Sequence, residues 1–104
     1  MNLKEGNILF VRIDYKIGEK TESEQDGIDT MEYWQRLSEN HYVTAGIFGD
    51  MDMHIMNGAM VIFEAKDMAE AEEISAKDPI IERGFYRYEL YKWNIMLTSQ
   101  IAGK

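Results

Sequence analysis

The chain has 104 residues, a formal net charge of −8 and no cysteine. This length fits one domain, the missing cysteine excludes disulfides, thiolate metal sites and thiol nucleophiles, and the negative charge disfavours nucleic acid as a partner. No apolar stretch approaches the ~20 residues that cross a bilayer, and residues 1–6 lack the basic and apolar runs of a secretory signal. We therefore expect one cytoplasmic domain over residues 1–104, without a membrane or a nucleic acid as partner.

The first predicted element is a strand at residues 8–15, which is rich in β-branched and aromatic side chains. Successive residues of a strand point to opposite faces. Val11 and Ile13 therefore share one face of this strand, and Arg12 and Asp14 share the other.

A polar run at residues 18–28 predicts a flexible loop, after which a helix is expected. Asp29 has Glu32 three residues later, the spacing of a capping box, which predicts Asp29 as the N-cap of this helix. Trp34 lies on its apolar face, and Asn40 is expected near its end.

Residues 42–48 and 58–65 predict two further strands, and the short connector between them indicates a β-hairpin. A metal ion held by Asp50, Asp52 and His54 is one interpretation of the connector, because these residues alternate along the chain. A solvated acidic loop is the more common arrangement, and we predict neither a metal nor another cofactor.

The second predicted helix begins at Asp67, again with an acidic residue three positions later. Its apolar stripe includes Ile74 and continues to Asp78, where Pro79 disfavours helical geometry. Residues 80–84 predict a short turn.

Residues 85–93 predict the last strand, and the role of the tail at residues 94–104 stays open. The predicted order of strand, helix, strand, strand, helix and strand is the ferredoxin-like βαββαβ arrangement, an α+β fold whose antiparallel sheet carries both helices on one face. The first and last strands carry apolar or aromatic residues on both faces. A second apolar sheet face needs a cover, so we expect a homodimer, with higher assembly left open.

Asp78 is the favoured catalytic residue. A carboxylate on the apolar stripe of a helix is expected to have a raised pKa through desolvation, unless a donor or a cation compensates, and it can then act as a general acid or base. The alternative is that Asp78 only accepts backbone N–H bonds where the helix meets the turn. His41 and His54 are candidate partners in proton transfer, and the alternative for both is a connector residue without a catalytic role.

Aromatic side chains are the candidate contacts for a small-molecule ligand. They could line a pocket for an aromatic compound, or they could pack in the core and at an interface. These residues are Trp34, Tyr86, Tyr88, Tyr91 and Trp93.

Several short motifs follow one another through the second half of the chain, and their order and spacing are characteristic. They are Thr44-Ala45-Gly46, Gly58 to Ala65, Met68-Ala69-Glu70-Ala71, Lys77-Asp78-Pro79, Gly84 and Tyr88 to Trp93. Over roughly residues 8–95, this arrangement resembles the YCII-related (YciI-like) family of the dimeric α+β barrel superfamily.

The resemblance implies a ferredoxin-like subunit, a dimer in which two sheets meet face to face, and a pocket between sheet and helices. It also implies acid–base enzymes, such as lactone isomerases and dehydrochlorinases of aromatic degradation, that use a His–Asp pair. The Asp of that pair maps onto Asp78 and the His maps onto Asp29, which either faces Asp78 or only caps a helix. Gly46 and Pro79, within the matching motifs, are predicted substrate contacts.

These observations favour an acid–base enzyme of lyase, isomerase or elimination type that acts on a small organic or aromatic-derived substrate. The alternative is a non-catalytic ligand-binding or assembly module that has lost the histidine of the family. A cofactor-free monooxygenase is a third, less favoured hypothesis.

Overall fold

A computed structural model gives the architecture of residues 3–53 and 55–99. The elements in chain order are β1 (Ile8–Lys16), α1 (Glu24–Leu37), β2 (Val43–Asp50), β3 (Ile55–Ala65), α2 (Met68–Ala76), α3 (Pro79–Glu82) and β4 (Tyr86–Trp93). A single 3₁₀ turn, Met51–Met53, follows β2. This order confirms the predicted βαββαβ arrangement and adds α3, which is one helical turn long.

Within the described residues, the strands form one antiparallel sheet in the order β2-β3-β1-β4. β1 lies between β3 and β4, so Arg12 is opposite Val61 on one side and Leu90 on the other. A side chain in the middle of β1 therefore has a strand on each flank. The sheet has the ferredoxin-like strand order.

The hydrophobic core lies between one face of the sheet and helices α1 and α2. Phe10 and Phe63 from the sheet pack with Trp34 of α1 and with Ala71 and Ile74 of α2. The Trp34 and Phe63 rings are 5.4 Å apart between centroids, in a tilted arrangement that aromatic pairs favour. We call this side of the sheet the helix face.

The charged face of β1 is the buried one. Arg12 and Asp14 share the helix face with Phe10, and their exposed fractions are 0% and 1%. Val11 and Ile13 point to the opposite side, which we call the open face. This placement is unusual because buried charges need partners, and those partners form the site described below.

Helix α1 begins earlier than predicted. Ser23 is its N-cap, and Ser23 and Asp26 bond reciprocally in a capping box: the Asp26 N–H donates to Ser23 Oγ at 3.1 Å and the Ser23 N–H donates to Asp26 Oδ2 at 2.8 Å. The prediction that residues 18–28 form a loop is therefore wrong for residues 24–28. Asp29 lies inside the helix and is not its cap, because the Ser23–Asp26 capping box already starts the helix at Glu24.

The hairpin strands are longer than predicted. β2 extends to Asp50, and pairing continues through Gly49 opposite Met56 after a β-bulge between Phe48 and Gly49. The predicted connector at residues 49–57 is therefore mostly strand. Backbone pairing does not depend on side-chain type, so the methionine and acidic residues did not reveal it.

The predicted turn at residues 80–84 contains helix α3. Asp78 is the N-cap of α3 and Pro79 is its first residue. An N-cap Asp followed by Pro is a favourable helix start, because Pro lacks an N–H that would need a partner there. The second helix, by contrast, begins as predicted, with Asp67 as the N-cap of α2.

Gly58 lets β3 approach β1 closely. Its φ is +155°, and a Cβ at this position would be 2.8 Å from the backbone oxygen of Asp14. That distance is too short for any side chain, so glycine is required where β3 passes Asp14.

Beyond β4, residues 94–99 have neither helix nor strand, and the side chains of Met96 and Leu97 are exposed. None of the helices in residues 3–53 and 55–99 has the length and apolar character that a membrane crossing requires.

Candidate active site

Arg12 and Asp14 form a bidentate ion pair on the helix face of β1. Arg12 Nε donates to Asp14 Oδ1 at 2.7 Å, and Arg12 Nη2 donates to Asp14 Oδ2 at 2.6 Å. The two residues are neighbours on one face because they are two positions apart in a strand. Paired charge-assisted bonds of this kind are strong and fix the orientation of both groups.

Asp78, the N-cap of α3, binds the same guanidinium from the helix layer. Its Oδ2 accepts from Arg12 Nη2 at 2.8 Å and from Trp34 Nε1 at 2.8 Å. Its Oδ1 accepts from Thr30 Oγ1 at 2.8 Å and from the Ile80 N–H at 3.2 Å. Asp78 is completely buried and still receives four hydrogen bonds, which compensate for its removal from water.

Arg12, Asp14 and Asp78 together are called the carboxylate cluster below. The Arg12 guanidinium lies between two rings, with Cζ 5.3 Å from the Trp34 centroid and 5.7 Å from the Tyr88 centroid. Aromatic faces attract a cation, so these rings help to keep Arg12 in place inside the protein. Among the described residues, Arg12 Nη1 is buried without a hydrogen-bond partner.

The cluster holds one cation for two carboxylates. Burial raises the pKa of the Asp14 carboxyl above its ordinary value although Arg12 lowers it, and the charge of Asp78 adds to the rise. Burial would lower the pKa of Arg12, but its bonds to Asp14 and the charges of both carboxylates raise it, so Arg12 stays cationic. The arrangement therefore favours a proton on Asp14 at a higher pH than an exposed aspartate would need.

A cavity of about 220 Å³ opens above the cluster, between α1 and the β2–β3 hairpin. Its walls are mainly apolar and include Met31 and Trp34 from α1 and Ile47 and Met56 from the hairpin. Arg12, Asp14, Glu22 and Asp78 are the charged residues in the described lining. An apolar cavity with a few converging polar groups is the usual form of a small-molecule site.

Four of the residues predicted for the site come together here. Asp78, Trp34, Gly46 and Tyr86 all line the cavity. Tyr88 lies behind it: its ring faces Arg12, and its hydroxyl donates to Glu72 Oε2 at 2.7 Å, while burial raises its pKa to about 12. Pro79 is adjacent to Asp78 at the start of α3, outside the described cavity lining.

The structure places Asp29, His41 and Trp93 elsewhere. Asp29 pairs with Arg83 at 2.8 Å and accepts from Gln25 at 2.8 Å, which hold its pKa below its ordinary value. His41 follows α1 and lies near Glu64 at the far end of the sheet.

Trp93 is opposite Leu9 on the open face, so the sheet separates it from the cavity. His54 lies outside the described residues.

The sequence prediction missed Arg12, Asp14 and Thr30. The available signal was a pair of charges at alternate positions of an otherwise apolar strand that the predicted topology places inside the sheet. Thr30 gave no such signal, since a threonine in a helix is common and its role appears only when α3 packs on α1.

Within residues 3–53 and 55–99, no group of three or more His, Asp or Glu side chains is arranged so that it could hold a metal ion. The alternative metal site at the hairpin includes His54, outside the described range. Asp50 there accepts from the Asp52 and Met53 N–H groups at 2.9 and 3.3 Å, which closes the turn.

Residues 8–94 match the sequence pattern of the YCII-related domain. A comparison with curated proteins finds no match. Among solved structures, the fold is similar to that of 5-chloro-2-hydroxyhydroquinone dehydrochlorinase from Burkholderia phenoliruptrix in complex with 2,5-dihydroxybenzoquinone, with a TM-score of 0.59. That similarity has 22% sequence identity and covers 84% of this chain and 94% of the other, and it supports the α+β fold. Because the family pattern spans most of the sequence, the chain belongs to the YCII-related domain family.

Proposed function

We propose that this protein is an acid–base enzyme of lyase, isomerase or elimination type that acts on a small, mainly apolar molecule in the cavity. One observation carries the proposal: two buried carboxylates share a single arginine at the floor of an apolar cavity. Burial raises the pKa of Asp14 above its ordinary value, and a carboxylate with a raised pKa in a cavity is a candidate for proton transfer.

The charge of the cavity favours a neutral ligand. Three of the four charged residues in its described lining are acidic, and the cation is already paired with two of them. An anionic ligand would meet net repulsion in a poorly solvated space, whereas a hydroxyl group or an acidic C–H could approach a carboxylate oxygen. We therefore propose a ring compound that binds in its protonated form.

The structural neighbour supports this choice of ligand class for testing. It is a dehydrochlorinase solved with a benzoquinone, and it shares the fold of this chain. The cavity of about 220 Å³ can accommodate part or all of a single-ring compound.

Binding can be tested with para-nitrophenol, whose protonated and ionised forms absorb differently. We expect the wild-type protein to bind the protonated form. Met31→Trp should weaken binding because Met31 lines the cavity, whereas Met68→Trp, on an exposed methionine of α2, should not. Equal binding by all three proteins, or by none, would contradict the proposed site.

Catalysis can be tested without knowing the substrate. Enzymes that move protons exchange acidic C–H positions of bound compounds with deuterium from the solvent, which NMR detects. We expect exchange in small neutral phenols, lactones or ketones with the wild type, and strong loss of exchange when both cluster carboxylates are changed to amides. Binding without exchange would favour the non-catalytic ligand-binding module.

The non-catalytic alternative rests on a specific observation. The position that matches the family histidine is Asp29, and Asp29 is engaged by Arg83 and Gln25 on the outer side of α1. A His–Asp pair is therefore not formed between residues 29 and 78, and the proposed catalysis would use the carboxylate cluster instead.

We also propose that two copies associate through the open face of the sheet. Phe48, Tyr91 and Trp93 are 43%, 50% and 40% exposed, and Val11 and Ile62 lie between them in the register. A broad apolar sheet face of this kind is typical of an interface between subunits. Sedimentation equilibrium should give twice the mass of one chain for the wild type and for Met68→Lys, and the mass of one chain for Ile62→Lys.

A further inference from the structure

The two aspartates of the carboxylate cluster differ in how many acceptor positions they have left. We propose that Asp14 is the residue that exchanges a proton with the ligand, and that Asp78 of the Asp-Pro motif is a positioning residue. This inference rests on the proposed function and assigns the roles within that same site.

Asp78 has no remaining capacity to accept a hydrogen bond. Each carboxylate oxygen has about two acceptor positions, and the four bonds from Arg12, Trp34, Thr30 and the Ile80 N–H occupy all of them. A ligand could reach Asp78 only by displacing one of these donors, each of which is part of the fold.

Asp14 keeps one acceptor position on each oxygen. Among residues 3–53 and 55–99, Arg12 alone donates hydrogen bonds to it, one bond to each oxygen. Asp14 also lines the cavity floor, where an apolar wall limits solvation. Burial raises the pKa of Asp14, which brings its proton affinity closer to that of weakly acidic ligands.

The proton transfer conserves charge inside the cavity. The Asp14 carboxylate takes a proton from a neutral ligand, and the electron pair of the broken bond stays on the ligand. Asp14 becomes neutral at that moment, so Arg12 is freed from one of its two anionic partners and can stabilise the new anion. Return of the proton to another atom gives an isomerisation, and departure of a leaving group with its electron pair gives an elimination.

Asp78 holds Arg12 in position for this step. It fixes one N–H of Nη2 while Asp14 takes the other, and Trp34 and Thr30 hold Asp78 in turn. The titratable and charged groups that surround Asp14 are Arg12 and Lys16 of β1, Glu22 before α1, Asp78 before α3, and Tyr86 and Tyr88 of β4.

Nitrobenzisoxazole is a suitable probe, since it is neutral and has one ring-carbon proton that a carboxylate base can remove. Loss of that proton forms the nitrile as the ring N–O bond breaks, and the electron pair leaves as a coloured phenolate. No cofactor is needed. The matched variants are Asp14→Asn, Asp78→Asn and Asp67→Asn, the last being a remote exposed cap that Asn fulfils equally well.

We expect the wild type and Asp67→Asn to open the ring at equal rates, and Asp14→Asn to be at least about 100-fold slower. Asp78→Asn should be slower than the wild type but faster than Asp14→Asn, and the midpoint of its pH–rate profile should move to lower pH, because a negative charge beside Asp14 has been removed. If Asp78→Asn does not fold, Thr30→Val takes its place, because it removes one donor to Asp78. Its pH–rate profile should then still show the single titration of Asp14, and adding Asp14→Asn should abolish the rate.

The outcomes separate the two proposals. If the melting temperature of the wild type does not rise with the probe, the cavity does not bind it, and the proposed function fails together with this inference. If the probe binds but Asp14→Asn opens it as fast as the wild type, only this inference is overturned. Loss of the rate in Asp78→Asn with retention in Asp14→Asn would reverse the assigned roles.

Discussion

Two buried carboxylate sites occupy opposite ends of the β1–β3 pair, and they are held in different ways. Glu64, opposite Leu9, is 2% exposed and accepts from the Tyr42 N–H at 2.7 Å, the Lys4 N–H at 2.9 Å and Asn7 Nδ2 at 3.0 Å. Burial alone would raise the pKa of Glu64, but these donors outweigh it and lower the pKa.

At the other end, Asp14 has a raised pKa although it pairs with a full cation. The difference arises mainly because burial raises the pKa of Asp14 by more than its pairing with Arg12 lowers it, and the charge of Asp78 adds to the rise. At Glu64 the hydrogen bonds outweigh burial, so three N–H donors hold its pKa below the ordinary value. In the proposed function, the Glu64 site contributes to stability and the Asp14 site supplies the carboxylate that exchanges a proton.

The largest expected effect is that of Arg12→Met. It removes the cation and leaves Asp14 and Asp78 as buried carboxylates, so we expect a loss of about 3–5 kcal/mol in the free energy of unfolding at neutral pH. Denaturant unfolding measures this loss, which should shrink in acid as the carboxylates take up protons. Arg83→Met, on an exposed arginine, is the control, and an equal loss there would contradict the importance of the shared cation.

Glu64→Gln should have the next largest effect, about 1–3 kcal/mol, because a carboxylate that accepts three hydrogen bonds is replaced by an amide. The folded-state pKa is lowered, so the contribution of Glu64 is present above its ordinary pKa and is lost as the pH falls through the lowered value. Unfolding free energies of wild type and variant should therefore converge in acid. A constant difference at all pH values would be inconsistent with this reasoning.

Asp14→Asn should change stability by less than about 1 kcal/mol at neutral pH: one of the two Arg12 bonds is lost, but the amide oxygen accepts the other, and Arg12 and Asp78 remain as a balanced ion pair. The folded-state pKa of Asp14 is raised, so its favourable contribution is present below the ordinary pKa and is lost as the pH rises through the raised value. The free energy of unfolding of the wild type should therefore rise relative to that of the variant as the pH falls. A loss at neutral pH as large as that of Glu64→Gln would remove the contrast between the sites.

Asp29→Ser should have the smallest effect. Asp29 pairs with Arg83 at the surface, and Asp26 remains as a second partner for Arg83 at 2.7 Å. Exposed ion pairs contribute little, so the melting temperature should move only slightly and para-nitrophenol binding should stay unchanged. A clear loss of binding would show that Asp29, at the position of the family histidine, takes part in ligand binding.

The sequence predicted the order of the elements, the Asp67 cap and the end of the second helix near Asp78. It did not predict the partners of Asp78, because alternation along β1 separates two faces without showing which one is covered by helices. Charges on one face usually indicate solvent, and Arg12 and Asp14 are an exception that their pairing with each other and with Asp78 permits. The start of α1 was misplaced for a similar reason: two capping signals, at Ser23 and Asp29, compete within six residues.

The contact between Arg12 and Asp78 joins residues that are 66 positions apart in the chain, and Thr30 meets Asp78 across 48. Closing such long loops costs chain entropy before any contact compensates for it, so this part of the structure forms late in folding. During synthesis, Arg12 leaves the ribosome well before Asp78 does, so Arg12 and Asp78 cannot pair until Asp78 has also emerged. The carboxylate cluster can therefore form only after the chain has been made at least as far as Asp78, and a fragment that ends before α3 does not contain it.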